Sequence, residues 1–162
     1  MEKKSITINY QILLSDELNH TQKKIVNSSL SALKSSYSPY SKFKVGASVL
    51  LNNGKIVSAS NQENISFPSG LCAERIALFS SGSSYPSNKI LSLAISTEYN
   101  FKSDDIIITP CGGCRQVMIE YEKKQGTKIE VLIRNFNKKI LKFESVEDLI
   151  PFSFDVDLSK NL

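Results

Sequence analysis

The chain has no tryptophan, a single histidine and only three cysteines. An odd number of thiols in a chain of 162 residues does not match a small secreted disulfide framework, which pairs an even number of cysteines in a shorter sequence. Long apolar runs are missing too, and none approaches the roughly 20 residues that cross a bilayer. The first residues are basic at Lys3 and Lys4, but Ser5, Thr7, Asn9 and Gln11 interrupt the apolar stretch that a secretory leader requires. A cytoplasmic protein with no membrane partner is therefore expected. Concentrated charge of one sign is also lacking. Twenty basic and 16 acidic residues leave a net charge of +4, and the pairs Lys3-Lys4, Lys23-Lys24, Lys123-Lys124 and Lys138-Lys139 are scattered along the chain. Nucleic-acid binders gather such charge on one face; the pI of about 8.9 sits at their border, so charge alone decides little, but the scatter favours a solvated surface and no nucleic-acid partner is expected. What remains is ordinary for a packed protein: 41% hydrophobic and 22% charged residues exclude wholesale disorder. With no repeat, low-complexity stretch or linker, one domain over residues 1–162 is expected, in which residues 1–15 form an N-terminal extension without an assigned role.

Asp16 is a plausible N-cap for a first helix, in which Leu18, Ile25, Val26, Leu30 and Leu33 recur mostly at helical spacing until Tyr37-Ser38-Pro39 ends it. Val45 to Leu51 reads as a strand. Asn53-Gly54 is a hairpin turn, and Lys55 to Ser60 returns antiparallel. Asn61 to Leu71 is rich in Asn, Ser, Pro and Gly and reads as irregular; Cys72 to Phe79 has helical character, and Ile90 to Thr97 alternates as a buried strand. After a loop and the short apolar run Ile106 to Ile108, a helix begins near Cys111 with Val117, Met118 and Tyr121 on its apolar face. Ile129 to Ile133 is a strand, Asn135 to Lys138 a turn and Ile140 to Phe143 a weaker strand. The order α-β-β-α-β-α-β-β implies an α/β mixed sheet with helices on its faces.

The cysteines carry the chemistry. Pro110-Cys111-Gly112-Gly113-Cys114 sets two thiols three residues apart at a helix start, where both sulfurs share one face and unpaired N–H groups favour thiolates. Cys72, 39 residues earlier, opens another expected helix. Two helix N-termini can therefore converge on one ion, and three thiolates around a tetrahedral Zn2+ leave one position open, as catalytic sites do. A redox pair at Cys111 and Cys114, or half of a structural zinc site, are the alternatives; the first leaves Cys72 without a role, and the second wants a fourth ligand at close spacing. His20, in the first helix, is more simply a solvent-facing residue than that fourth ligand. Glu74, two residues after Cys72, can accept and return the proton of a metal-activated water. Arg75 can offset the negative charge of the thiolates. Standing alone, Glu74-Arg75 would read as an exposed first-turn pair; beside the thiols it reads as part of a site.

Cys72-Ala73-Glu74 followed by Pro110-Cys111-Gly112-Gly113-Cys114-Arg115-Gln116 resembles the three-cysteine variant of the zinc-dependent nucleobase deaminase signature. Tyr37-Ser38-Pro39-Tyr40-Ser41, Phe43-Lys44-Val45-Gly46-Ala47, Asn61-Gln62-Glu63-Asn64 and Leu149-Ile150-Pro151-Phe152-Ser153-Phe154 are similar, in order, to the small three-cysteine members of the cytidine/deoxycytidylate deaminase family. The resemblance implies a three-layer α/β/α cytidine deaminase-like fold around a five-stranded mixed sheet, usually assembled as a homotetramer with one Zn2+ per subunit. It implies that Cys72, Cys111 and Cys114 hold the zinc and that Glu74 shuttles protons between water, N3 of the base and the departing amine. It further implies that Asn61 and Glu63 bind the ribose hydroxyls, that the Ala73 backbone reads the pyrimidine edge, and that Phe43 lines the base pocket. Phe154 would close the pocket, from a neighbouring subunit in some assemblies. Asn61 and Glu63 lie two residues apart, so an extended backbone would point both the same way, and an amide with a carboxylate suits a vicinal diol.

The sequence departs from the family at Gln62, where an apolar residue is usual, at Gly113, often Ala, and at Asp155-Val156-Asp157 after the final Phe. The expected reaction is hydrolytic deamination of cytidine and 2′-deoxycytidine to the uridines with release of ammonia, as in pyrimidine salvage. Deamination of another aminated heterocycle, such as a nucleoside antibiotic of the blasticidin type, shares the zinc motif; a polynucleotide-editing deaminase would want a basic extension or aromatic-rich loop that is not evident. A non-catalytic zinc protein would bind metal and release no ammonia.

Overall fold

The computed structural model describes residues 1–98, 107–135 and 139–155. Among these residues, six strands and three α-helices run in the order β1 (Gln11–Leu13), α1 (His20–Ala32), β2 (Lys44–Leu51), β3 (Ile56–Ser60), α2 (Ala73–Ser84), β4 (Ile90–Glu98), α3 (Gly112–Gln125), β5 (Glu130–Arg134) and β6 (Ile140–Phe143). They form one mixed sheet of order β1-β6-β5-β4-β2-β3, in which β4 and β5 are parallel and the other neighbours antiparallel.

The sheet thus has six strands rather than the five expected. The extra one is β1, which pairs Gln11, Ile12 and Leu13 with Lys142, Leu141 and Ile140 of β6, so part of the N-terminal extension is an edge strand. Tyr10, just before it, stacks on Phe143 with ring centroids 5.7 Å apart. The first helix also starts later than its apolar spacing suggests. Asn19, not Asp16, is the N-cap: its Oδ1 accepts from the Gln22 N–H at 2.9 Å, while the Gln22 side chain accepts from the Asn19 N–H at 3.1 Å. This reciprocal capping box satisfies two amides at once and outcompetes the upstream aspartate. The remaining expected elements occur within a few residues of their expected ends, apart from α2, which runs on to Ser84 instead of stopping near Phe79. Its small C-terminal residues serve packing, since a Cβ at Gly82 would fall 2.5 Å from the Tyr121 hydroxyl of α3. Residues 136–138 of the expected turn, and Ile106, lie outside the described residues.

Alternation along the strands divides the sheet into two apolar faces. Val45, Ala47, Val49, Leu93, Ile95, Val131, Ile133 and Leu141 pack with Ala77 and Leu78 of α2 and Met118 and Ile119 of α3. Leu50, Ala94, Leu132 and Ile140 pack with Ile25 and Val26 of α1 on the other face. The result is a three-layer α/β/α arrangement with α2 and α3 side by side. A buried glutamate braces α3: Glu122 accepts from Ile129 N at 2.7 Å, Ser145 Oγ at 2.6 Å and Val146 N at 3.0 Å, so both of its carboxyl oxygens are hydrogen-bonded. On the opposite face α1 lies unusually close to β2. A Cβ at Gly46 would collide with the Ser29 carbonyl oxygen, and Ser29 Oγ is 2.7 Å from Ser96 Oγ on β4.

Gly46→Ala is therefore expected to lower the stability of the fold by about 1–3 kcal/mol, read as a lower urea midpoint with an unchanged slope. Gly113→Ala, in a helix and with no atom within 4 Å of an added Cβ, should leave the midpoint unchanged or raise it.

Candidate active site and metal centre

Cys72 and Cys111 occupy equivalent places, each the extended N-cap residue of its helix, with φ/ψ of −71°/150° before α2 and −66°/164° before α3. Neither side chain caps its own helix, so neither sulfur is spent on the first-turn amides. Cys114 follows in the first turn of α3 and is buried. The three sulfurs lie within 4.8 Å of one another, and Cys111 Sγ is 3.5 Å from Cys114 Sγ. Around a tetrahedral zinc with bonds of about 2.3 Å, sulfurs sit about 3.8 Å apart, so the cluster fits that ion without rearrangement. Three soft thiolates at two positive helix ends suit the same choice. Among the described residues no His, Asp or Glu joins the group. His20, in particular, is the exposed first residue of α1, the helix that packs on the other face of the sheet.

The surrounding groups share the charge unevenly. A hydrogen bond from Cys114 and the guanidinium of Arg75, whose Nη2 lies 3.8 Å from Cys72 Sγ, bring Cys72 down to about 5 against the opposing effect of burial. The same hydrogen bond, in which Cys114 is the donor, pushes Cys114 up. Glu74, only 5% exposed, is raised to about 7, first by burial and then by the neighbouring Cys72 thiolate. A carboxyl poised near neutrality can both give and take a proton there.

These groups open onto a cavity of about 830 Å³ between the ends of β2, β4 and β5, the loop at 61–71, and the starts of α2 and α3. Cys72, Glu74, Arg75 and Cys111 line it, as do Phe43, Asn61 and Glu63, so the structure brings together most of the residues singled out from the sequence. Two of these polar residues are already engaged. Asn61 Oδ1 accepts from Ser36 Oγ at 2.6 Å and Val45 N at 2.9 Å, and its Nδ2 donates to the Phe43 carbonyl at 2.8 Å. Glu63 accepts from the Tyr40 and Ser41 amides and the Ser41 hydroxyl, which holds its carboxyl below the usual range. Ala73 is wholly buried as the first residue of α2, between two lining residues. Phe154 does not line the cavity of its own chain. It is 78% exposed, held at its backbone by two hydrogen bonds with the Gln116 side chain on the outer side of α3.

Other residues hold the site together that the sequence reading did not assign a role. Arg115 donates to the Pro110 carbonyl at 2.8 Å, to Thr109 Oγ1 at 2.6 Å and to the Leu149 carbonyl at 2.8 Å, clamping the approach to Cys111 against the C-terminal segment. Asn135, buried after β5, accepts from Ile108 N at 3.0 Å and steadies the same approach. Arg115 lies inside the motif quoted above, but nothing in a lone arginine codon position indicates three main-chain and hydroxyl acceptors. Gln62, the polar departure, donates to the Ser35 carbonyl at 3.0 Å and to Ser60 Oγ at 3.2 Å, tying the cavity loop to the turn after α1.

Cys111→Ala should abolish stoichiometric zinc, measured by elemental analysis of the purified protein; Arg115→Ala should keep the three thiols but weaken zinc retention against a chelator about 10- to 100-fold, the range for lost support of ligands.

Comparison with known proteins agrees with this geometry. The family described as the cytidine and deoxycytidylate deaminase zinc-binding region matches residues 19–127. The chain is 32% identical over 133 residues to a cytidine deaminase of Halalkalibacterium halodurans, covering 82% of this chain and 93% of that protein. It is 33% identical over 129 residues to a cytidine deaminase of Mycobacterium tuberculosis, covering 78% and 84%. In structure it is similar to a cytidine deaminase from Burkholderia pseudomallei, with a TM-score of 0.71, 34% identity, and 85% of this chain and all of that one covered. With three converging thiols and a layered α/β sheet beside these matches, the chain belongs to the cytidine and deoxycytidylate deaminase zinc-binding family.

Proposed function

We propose that this protein hydrolytically deaminates cytidine and 2′-deoxycytidine to uridine and 2′-deoxyuridine, releasing ammonia. The observation that carries the reading is a buried carboxyl, Glu74, set beside three converging thiols on the wall of a cavity large enough for a nucleoside. Cys72, Cys111 and Cys114 hold one zinc ion per subunit, which when bound supplies an activated water as the nucleophile for C4 of the base.

The remaining work falls to the chain. Glu74 takes one proton from the attacking water and delivers it to N3 as the C4–O bond forms; it then takes the remaining proton of the new C4 hydroxyl and gives it to the amine, so that the C4 carbonyl forms as the C4–N bond breaks and ammonia leaves. Its burial keeps the proton within the site, and its poise near neutrality suits transfer in both directions. Arg75 compensates the thiolate charge. Phe43 stacks on the base, and the Ala73 backbone at the start of α2 meets the pyrimidine edge. After its internal hydrogen bonds Asn61 keeps one amide N–H and Glu63 keeps free lone pairs, which suits a donor and an acceptor for the ribose hydroxyls. Phe154, exposed on its own chain, is available to close the cavity of a neighbouring copy, which supports a homotetramer. A thiol cluster of this kind favours the reducing cytoplasm.

Glu74→Gln should retain fold and zinc and lose about 10²–10⁴-fold in kcat, followed at the ultraviolet band of the aminopyrimidine. With the unaltered protein, cytidine and deoxycytidine should lose that band, whereas cytosine and blasticidin S should not; ammonia from none of the four would leave only a metal-binding role. Sedimentation velocity of the purified protein should give four copies of the chain.

A further inference from the structure

Most polar groups around the cavity are satisfied within the chain. Ser41 Oγ donates to Glu63 and accepts from Phe43 N at 3.0 Å, Asn61 Oδ1 has two donors, and Thr109 Oγ1 takes the Arg115 guanidinium. Among the described residues, two buried side-chain polar atoms have no partner: Arg75 Nε and Thr97 Oγ1. Both residues line this cavity. The Arg75 guanidinium is already turned to the thiol cluster through Nη2. Thr97 has no such partner, and no sequence motif pointed to it.

Thr97 is the penultimate residue of β4, paired opposite Val45 of β2, and is 3% exposed. Strand alternation puts it on the same face as Leu93 and Ile95, toward α2 and α3. Its same-face neighbours Val45 and Ile95 are apolar and offer nothing to a hydroxyl. Valine would fill the same shape without a buried polar group, so threonine here is costly to the fold unless something outside the chain completes the bond. A trapped water would need two to four polar partners, and Val45 and Ile95 supply none of them.

We propose that Thr97 is a specificity-determining residue whose hydroxyl hydrogen-bonds the bound nucleoside, at an oxygen that the reaction leaves unchanged. Glu74 and the cysteines stand at the helix starts, where the reacting edge must face; Thr97 belongs to the strand side and holds the ring carbonyl or a sugar hydroxyl from there. The contact is then the same in substrate and product, and it contributes to binding rather than to the chemical step. The inference rests on the deaminase reading above.

The test compares wild type with Thr97→Val and Thr97→Ser as zinc-loaded proteins. Thr97→Val should melt at or above the wild-type temperature, raise KM about three- to tenfold at nearly constant kcat, and weaken uridine binding by the same factor in calorimetry. Thr97→Ser should restore both constants. An equal effect on cytidine and deoxycytidine supports the contact and assigns it to the base or to a sugar hydroxyl the two share; an effect on cytidine alone supports it and assigns it to the 2′-hydroxyl. KM and uridine affinity both within twofold of wild type in Thr97→Val would overturn it. Should that variant not fold, Thr97→Ala against Thr97→Ser gives the same comparison. If the wild type deaminates no nucleoside, the proposed activity fails separately, and uridine binding still decides the role of Thr97.

Discussion

The site depends on two helices beginning at the same point. Because α2 and α3 lie side by side on one sheet face, their N-cap residues meet, and each N-cap is a cysteine. An N-cap is normally the place for Ser, Thr, Asp or Asn, whose oxygen satisfies a first-turn amide. Cysteine is a poor substitute in that role, and here neither thiol caps its helix. The helices forgo local stabilisation, and the positive ends of two dipoles are aimed at the sulfurs instead. Tyr121 against Gly82 sets how closely the helices approach, and Glu122 ties the far end of α3 to β5 and the turn beyond β6. Features far from the thiols therefore govern their separation.

Charge follows from the same arrangement. Three thiolates on one divalent ion leave a net negative centre, a weaker electron acceptor than one bound by neutral imidazoles. The site answers in two ways. Arg75 leans on Cys72, and Glu74 is kept where burial and that thiolate resist its ionisation. In the proposed mechanism a carboxyl raised toward neutrality complements a metal centre that is not strongly acidifying by itself.

What could be read in advance follows how local the physics is. That Cys72, Glu74 and the Pro110–Cys114 run come together was legible because the expected metal and proton chemistry calls for those atoms at those intervals. Strands β2 to β6 and the three helices were legible because burial writes a period into each segment. Strand β1 was not, since three residues carry no usable period and its partner lies some 130 positions away. Asp16 misled because an N-cap is defined by the reciprocal bond at Asn19 and Gln22, a feature of geometry rather than composition. Asn61 and Glu63 reached the cavity wall, yet most of their bonding capacity turns inward to hold the loops at 36–45. Thr97 and Arg115 were invisible as roles, because one is defined by a partner it lacks and the other by main-chain oxygens that any residue could present.

The edge position of β1 has a consequence for the order in which the molecule can be made. On the ribosome Gln11–Leu13 emerges well before β6, which it pairs with some 130 positions later. Ile6, Ile8, Tyr10, Ile12 and Leu14 alternate along this stretch and stay solvent-exposed even in the finished fold. While the intervening residues are made, the nascent chain carries an unpaired apolar ribbon whose partner strand does not yet exist. The sheet can close at this edge only after β6 has emerged, and until then the ribbon is open to pairing with other chains.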